Sequence, residues 1–210
     1  GVLLGQARVA DAIAAFQAGR GSPEERLDLD SAELFALNCS SAISTKDLFA
    51  RHVEFGARLE AAFPARFDHP NIPNPDRRLR IGYVSGELHF HVVSQFLLPL
   101  LEKHDRRQVE IFCYSTGNQD DEYSGKIRAQ SDHWQWLHNV APRAIADRIY
   151  QDGIDVLIDL AGHSGLPNLP VFAQQPSPVQ ATWLGYLHST GLARIQYRIT
   201  DLQSDPAGIA

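Results

Sequence analysis

The chain has 210 residues, of which 44% are hydrophobic, and its formal net charge at pH 7 is −6. Neither half of the chain is basic, which argues against binding to a nucleic-acid backbone, and no apolar run is long enough to cross a bilayer. We therefore expect one or two globular domains with neither nucleic acid nor membrane as a partner. The chain contains no Met, so we expect it to be a segment of a longer protein.

The two cysteines, Cys39 and Cys113, are too few for a disulfide framework. Each lies among apolar residues, and this setting predicts a buried thiol. Reduced cysteines are typical of a cytoplasmic protein, and the cytoplasm is the localisation that we expect.

The first part of the chain, residues 1–62, has the pattern of helices. Strong helix formers fill residues 6–18, and their apolar side chains are spaced to share one face. Ser22 is a capping residue for a second helix, and a third helix is predicted over residues 45–62. Residues 63–78 contain four prolines, which predicts a connector without regular structure.

The remaining part, residues 79–210, has strand patterns that alternate with helix patterns. The predicted strands are 79–85, 109–115, 154–160, 179–184 and 197–200, and the predicted helices are 92–103, 122–130, 142–151 and 166–173. Strands separated by helices form right-handed βαβ units, so we predict a largely parallel, Rossmann-like α/β sheet covered on both faces. Trp134 and Trp136 are interpreted as packing residues.

Three polar loops are predicted at the carboxyl ends of strands, where sheets of this class bind ligands. They cover residues 85–91, 159–165 and 185–191, and they contain four of the nine histidines: His89, His91, His163 and His188. Glycines in these loops allow the backbone to approach a ligand closely. This clustering is the clearest indication of a binding site that the residues themselves give.

These histidines also have other interpretations. His89 and His91 fit a helix-capping turn, and His163 fits a simple turn. Glu87, His89 and His91 alternate, so an extended segment would direct all three side chains one way, as in a metal site of two histidines and one carboxylate. The glycine-rich fragment at residues 162–165 matches neither a phosphate-binding loop nor a dinucleotide fingerprint.

Five sequence segments of the α/β part follow one another from Leu79 onward. They are L-R-I-G-Y-V-S, V-E-I-F-C-Y-S, A-D-R-I-Y-Q-D-G-I-D-V-L-I-D-L-A-G-H-S, P-S-P-V-Q-A-T-W-L-G-Y and Y-R-I-T-D. In this order they resemble the catalytic region of the O-linked N-acetylglucosamine transferase family, in its SPINDLY-like bacterial form. Residues 5–17 resemble the second helix of the last tetratricopeptide repeat that precedes this region in the family.

The resemblance implies the first lobe, residues 79–210, of a two-lobed GT-B glycosyltransferase, with repeat and linking helices before it. The implied reaction moves a sugar from a nucleotide sugar to Ser or Thr hydroxyls of a protein acceptor, with inversion and with neither metal nor cofactor. The sugar donor would be UDP-N-acetylglucosamine or, as in a plant branch of the group, GDP-fucose. In the family the second lobe holds the nucleotide pocket and a lysine that offsets charge on the departing diphosphate. We therefore expect these 210 residues alone to bind donor poorly and to turn over negligibly.

The resemblance also implies roles for particular residues. His91 matches a histidine that has been proposed as general base, a role that suits an imidazole titrating near neutrality. The implied substrate-binding residues are His89, Gly162, His163, Ser164, Gln180, Tyr186 and Thr190. Three departures affect the acceptor side: residues 187–190 replace a common Pro-containing segment, Glu87 replaces a frequent Asp, and Gln95 replaces a second His.

Two other classes of function stay open at this stage. The helices and the α/β part could form a scaffold that binds protein segments without catalysis. Alternatively, Glu87, His89 and His91 could form the site of a metal-dependent hydrolase.

Overall fold

The computed structural model describes residues 2–19, 22–74, 76–164 and 168–205. Its elements are α1 (Val2–Gly5), α2 (Val9–Ala18), α3 (Pro23–Leu37), α4 (Thr45–Ala62), β1 (Leu79–Ser85), α5 (Val92–Lys103), β2 (Val109–Ser115), α6 (Glu122–Ala129), β3 (His133–Trp136), α7 (Pro142–Gln151), β4 (Val156–Asp159), α8 (Leu169–Phe172), β5 (Val179–Trp183) and β6 (Tyr197–Ile199). Within the described ranges, no helix combines the length and apolar character needed to span a membrane.

The strands form one six-stranded parallel sheet in the order β3-β2-β1-β4-β5-β6. The chain builds outward from β1 in one direction and then, from β4, in the other. Parallel sheets with this reversal bind ligands in the crevice outside the carboxyl ends of the strands on either side of it. The predicted Rossmann-like α/β fold is confirmed, and its crevice lies beyond Ser85 of β1 and Asp159 of β4.

Two hydrophobic cores cover the two faces of the sheet. On one face, α5 and α6 pack their apolar side chains, such as Leu97 and Ile127, against β1 and β2. On the other face, α7 and α8 share a core with α3 and α4, to which Phe55 and Leu59 of α4 and Phe172 of α8 belong. Helices α3 and α4 therefore complete the core of the α/β part, although the connector separates them from it in sequence.

The connector contains neither helix nor strand in the part of residues 63–78 that the structure describes. It is held at the amino-terminal ends of β1 and β4, on the side of the sheet opposite the crevice. There the Asp155 carboxylate accepts hydrogen bonds from the Asn71 and Arg77 side chains and from the Arg80 N–H. These partners hold the pKa of Asp155 below its ordinary value.

Several predicted elements have the predicted bounds, namely α4, α5, α7, β1 and β2. The predicted start of the first helix, at residue 6, is wrong. The backbone of Ala7 has φ of 58° and separates α1 from α2, and α2 begins at Val9. The last predicted helix is reduced to Leu169–Phe172, and residues 166 and 167 lie outside the described residues.

Strand β3 was not predicted. It pairs with β2 along its whole length, and the ring of His133 stacks on that of Phe112 at a centroid distance of 4.1 Å. Trp134 packs against the core as expected, but Trp136 is exposed, which corrects its interpretation as a packing residue.

The two cysteines are both free, but only one is buried. Complete burial raises the pKa of the Cys113 thiol to about 12, so this thiol is inert at neutral pH. The prediction of a buried Cys39 is wrong: this residue is exposed in the turn that follows α3.

Candidate functional site at the carboxyl edge of the sheet

The loop between β1 and α5 is fixed by short-range hydrogen bonds. The hydroxyl of Ser85 accepts from the backbone N–H of Glu87 at 2.9 Å, and the hydroxyl of Ser94 donates to the Glu87 carbonyl at 2.7 Å. The backbone N–H and the carbonyl of Glu87 are therefore both held, and this fixes the backbone from which its side chain extends.

Glu87 faces both histidines of this loop. Its Oε2 lies 2.9 Å from Nε2 of His89 and 4.0 Å from Nε2 of His91. His89 is almost fully buried, whereas His91 retains 38% exposure of its side chain. Of the two rings, His91 is the one that can contact a bound molecule.

His91 is also the N-cap of α5. Its Nδ1 accepts a hydrogen bond from the backbone N–H of Val93 at 3.3 Å, so Nδ1 carries no proton in this arrangement. The neutral ring then carries its proton on Nε2. In this conformation His91 presents a hydrogen-bond donor to the crevice, and it can accept a proton at Nε2 only if the cap is released.

The side chains of Glu87, His89 and His91 do gather at one place, as their alternation suggested. They do not form a metal site, however. In the described ranges, no three or more His, Cys, Asp or Glu side chains are arranged to hold a metal ion.

The loop after β4 folds around a buried carboxylate that the sequence did not single out. Asp159 accepts hydrogen bonds from the N–H groups of Ala161 (3.1 Å) and Gly162 (2.8 Å) and from the Thr182 hydroxyl (3.0 Å). Complete burial raises the pKa of Asp159, and the three donors oppose that rise. The N–H of Gly162 is thus directed at Asp159 and not at the crevice.

Gly162 has a conformational reason to be glycine. Its φ is 55°, and a Cβ at this position would overlap with the side chain of Tyr186. Two residues later, the hydroxyl of Ser164 makes 2.7 Å contacts with the carbonyls of Ala161 and Gly185. Ser164 therefore links the loop after β4 to the loop after β5.

His163 is buried against the helices. Its Nδ1 lies 2.8 Å from the hydroxyl of Ser31 on α3, and its Nε2 lies 3.0 Å from the carbonyl of Thr190. Burial lowers the pKa of His163 to about 3, with the neighbouring His52 as a further cause. A neutral, enclosed ring of this kind links two parts of the chain and does not reach the crevice.

Tyr186 is bound by the helices in the same way. Its hydroxyl contacts the side-chain amide of Asn38 and lies 2.8 Å from Nε2 of His52 on α4. The His52 ring also stacks on the ring of His188, with a centroid distance of 4.5 Å. Burial lowers the pKa of His52 to about 4, so this ring is neutral at physiological pH.

Gln180 is fully buried below the edge of the sheet. Its side-chain amide donates to the carbonyls of Phe172 (2.9 Å) and Arg194 (2.8 Å). This placement is that of a residue that fixes neighbouring segments, and Thr190, also buried, contributes its carbonyl to His163.

Sequence reasoning missed the helix residues that reach this edge. Ser31, Asn38 and His52 lie more than 130 residues before their partners in the loops. No local pattern marks them, because Ser31 and His52 occupy ordinary helical positions and Asn38 lies in the turn that follows α3.

Comparison with known proteins shows to which family the sequence of this chain belongs. The sequence profile of Glycosyl transferase family 41 matches residues 39–210. The chain belongs to this family. The match to family 41 covers α4, the connector and the whole α/β part, and the resemblance seen in the sequence is confirmed.

Named relatives of this family 41 chain are longer. It is 32% identical over 177 residues to the probable UDP-N-acetylglucosamine--peptide N-acetylglucosaminyltransferase SPINDLY of Arabidopsis thaliana, covering 82% of this chain and 19% of that protein. It is 33% identical over 161 residues to the UDP-N-acetylglucosamine--peptide N-acetylglucosaminyltransferase of Caenorhabditis elegans, covering 76% of this chain and 14% of that protein. The chain thus spans about a fifth or less of these curated relatives.

A solved structure matches almost the whole chain. A mutant of the O-GlcNAc transferase of Thermobaculum terrenum superposes with a TM-score of 0.89 at 33% identity, over 95% of this chain and 38% of that one. The fold described above is therefore shared with an O-GlcNAc transferase, and it includes the helices before the connector.

Proposed function

We propose that this chain is the first α/β lobe of a protein O-glycosyltransferase, which transfers N-acetylglucosamine from UDP-N-acetylglucosamine to Ser or Thr hydroxyls with inversion. The observation that carries the proposal is the family 41 match together with His91 at the carboxyl end of β1, beside the reversal of the strand order. The names of the relatives supply the donor and the peptide acceptor.

The transfer reaction needs a side chain that can accept or donate a proton beside the reacting sugar, and His91 at the carboxyl end of β1 is such a side chain. The acceptor oxygen attacks the anomeric carbon, the bond from that carbon to the diphosphate oxygen breaks, and UDP leaves with the electron pair. The acceptor hydroxyl must also lose its proton. With Nδ1 held by the cap, the Nε2–H of His91 is a hydrogen-bond donor. Once the Val93 N–H releases Nδ1 and the ring proton moves there, Nε2 accepts the proton that the acceptor hydroxyl loses.

The division of labour between two lobes is what the family resemblance implies, and the relatives are long enough to contain a second lobe. In this proposal, a second lobe reads the nucleotide and stabilises the departing diphosphate, while the edge described here meets the sugar and the acceptor. Activity then requires the protein at its full natural length, and the 210 residues alone bind donor poorly.

Two smaller proposals accompany this one. Residues 5–17 belong to the last tetratricopeptide repeat, which is supported by their helix-forming sequence and by α2. The protein acts in the cytoplasm, which is supported by two cysteines that remain unpaired, one of them exposed.

The first prediction concerns His91. In the full-length protein, His91→Ala should lower the rate of transfer from UDP-N-acetylglucosamine by roughly 10² to 10⁴-fold, the range for a group positioned to move or hold a proton in the transition state. The measurement is initial transfer rate with a labelled donor and a mixture of acceptor proteins.

The matched control is His133→Ala. His133 also pairs with a glutamate, Glu110 at 2.8 Å, but it lies on edge strand β3 away from the crevice. This control should keep its rate within about twofold. Equal rates for the His91 variant and the wild type would contradict the role of His91, and a wild type that transfers no sugar would contradict the proposed function.

A further inference from the structure

We propose that helices α3 and α4 set the position of the loop after β5, and that the Tyr186 hydroxyl is the positioning group through which they act. The loop is residues 184–192, and we call it the β5 loop. The inference rests on the proposed function, because it concerns the geometry with which this loop meets the sugar donor.

A directed chain of hydrogen bonds connects the helices to the β5 loop. The carbonyl of Leu48 can only accept, so Nδ1 of His52, 2.7 Å away, carries the proton. The Nε2 of the neutral ring must then accept, and the Tyr186 O–H donates to it. The hydroxyl oxygen in turn accepts from the amide of Asn38. The Leu48 carbonyl thus fixes where each proton lies, and the arrangement has a single direction.

The backbone of the β5 loop also lies directly against α4. A Cβ on Gly56 would overlap with the carbonyl of Gly191, and a Cβ on Gly191 would overlap with the carbonyl of His52. Gly191 has φ of 80°, a conformation that favours glycine. The end of the loop is thus held by close backbone contact, and its first part is held by Tyr186.

Tyr186 connects the helices to the loop after β4 as well. Its ring fills the space beside Gly162, and it packs edge-on against His163 at a centroid distance of 5.0 Å. Ser164 and the carbonyl of Gly185 join the same two loops at 2.7 Å. A change at the Tyr186 hydroxyl is therefore expected to move the β5 loop and also the loop after β4, which borders the crevice.

Removal of the Tyr186 hydroxyl distinguishes the positioning role of the hydroxyl from the packing role of the ring. Tyr186→Phe keeps the ring that packs on Gly162 but removes the buried hydrogen bond to His52 and the half-exposed one from Asn38. We expect the KM for UDP-N-acetylglucosamine to rise roughly tenfold, the equivalent of one buried hydrogen bond, with kcat within about twofold. A change that only destabilises the protein would instead lower the active fraction, and so the apparent kcat, without changing KM.

The structure offers a closely matched control in Tyr83→Phe. Tyr83 is also buried and its hydroxyl also contacts a histidine, Nε2 of His104 at 2.8 Å, but it belongs to the core on the other face of the sheet. Its KM should equal that of the wild type. Equal KM values for both variants would overturn the proposal.

A second measurement does not depend on activity. In the full-length protein, hydrogen exchange of the amides at residues 184–192 should be about tenfold faster in Tyr186→Phe and unchanged in Tyr83→Phe. Unchanged exchange in the β5 loop overturns the proposal, even in a wild type that transfers sugar efficiently. A wild type without transfer overturns the proposed function instead, and the exchange experiment still decides this inference.

Asn38→Ala provides a second variant if Tyr186→Phe does not fold. Asn38 is half-buried near the end of α3 and donates to the same hydroxyl, so its loss weakens the hold on the loop without altering the loop itself. The expected rise in KM is roughly threefold, corresponding to a weaker, half-exposed hydrogen bond. A KM equal to that of the wild type overturns the proposal.

Discussion

At the scale of single residues, the edge of the sheet depends on histidines that are kept neutral. His52 and His163 are buried between the helices and the loops, and each uses both ring nitrogens in hydrogen bonds that require an uncharged ring. An additional proton on either ring would break one of these bonds and place a charge in an enclosed region.

Acid should therefore destabilise the protein well before its carboxylates titrate. The pKa values of His52 and His163 in the folded protein are about 4 and about 3, below the value of 6.5 for an unfolded chain. Between these values the unfolded state binds protons that the folded state does not, so stability is fully present above about pH 6.5 and falls as the pH decreases. Each histidine contributes a slope of about 1.4 kcal/mol per pH unit.

Urea unfolding at several pH values between 7 and 5 measures this slope. His163→Gln should reduce the slope by up to about 1.4 kcal/mol per pH unit, because the contribution of this histidine is then absent. The pKa values of His69, His104 and His188 are also lowered by burial, so these histidines still contribute to the slope that remains. A free energy of unfolding that does not change over this range would contradict the burial of these rings.

The residues of the site were predictable only in part. The loop positions follow from the strand pattern, and His91 lies between β1 and α5 as that pattern predicts, whereas its role stays a prediction. The directions of His163 and Gln180 could not be predicted, because their partners, Ser31 for one and Arg194 for the other, come from distant or irregular segments.

At the scale of elements, the contact of α4 with the β5 loop is set by glycines. Gly56 lies in the middle of α4, where glycine costs helix stability relative to Ala, yet there is no space for a methyl group. Packing against the loop therefore outweighs helix propensity at this position.

Gly56→Ala should lower the free energy of unfolding by about 2 to 3 kcal/mol, because the atom it meets is backbone and cannot turn aside. Gly125→Ala on α6 is the control: nothing lies within 4 Å of its Cβ, so the substitution should stabilise the protein by about 0.5 to 1 kcal/mol. Thermal unfolding of both variants checks the pair. A Gly56 variant as stable as the Gly125 variant would show that α4 is not in contact with the loop.

The elements themselves were largely predictable, and the exceptions have physical causes. The strand β3, with sequence H-W-Q-W, is only four residues long and lies at the edge of the sheet, so its pairing with β2 defines it more than its own pattern does. The break at Ala7 depends on one left-handed residue, which no spacing of apolar residues reveals.

At the scale of the whole molecule, the helices before the connector belong to the same body as the sheet. Leu48, Phe55 and Leu59 share a core with the α/β part, and Asn38 and His52 contact its loops. The sequence indicated two parts separated by prolines, since a connector is visible in composition but the core that joins the parts across it is not.

The proposed function combines this architecture with the relatives' names, and a transfer assay tests it most directly. The full-length protein is incubated with acceptor proteins and either UDP-N-acetylglucosamine or GDP-fucose. Mass spectrometry then measures the mass of each acceptor protein and of its peptides. We predict the addition of N-acetylhexosamine to Ser or Thr with the first donor, and no addition with the second. Addition of fucose alone, or of no sugar from either donor, would contradict this function.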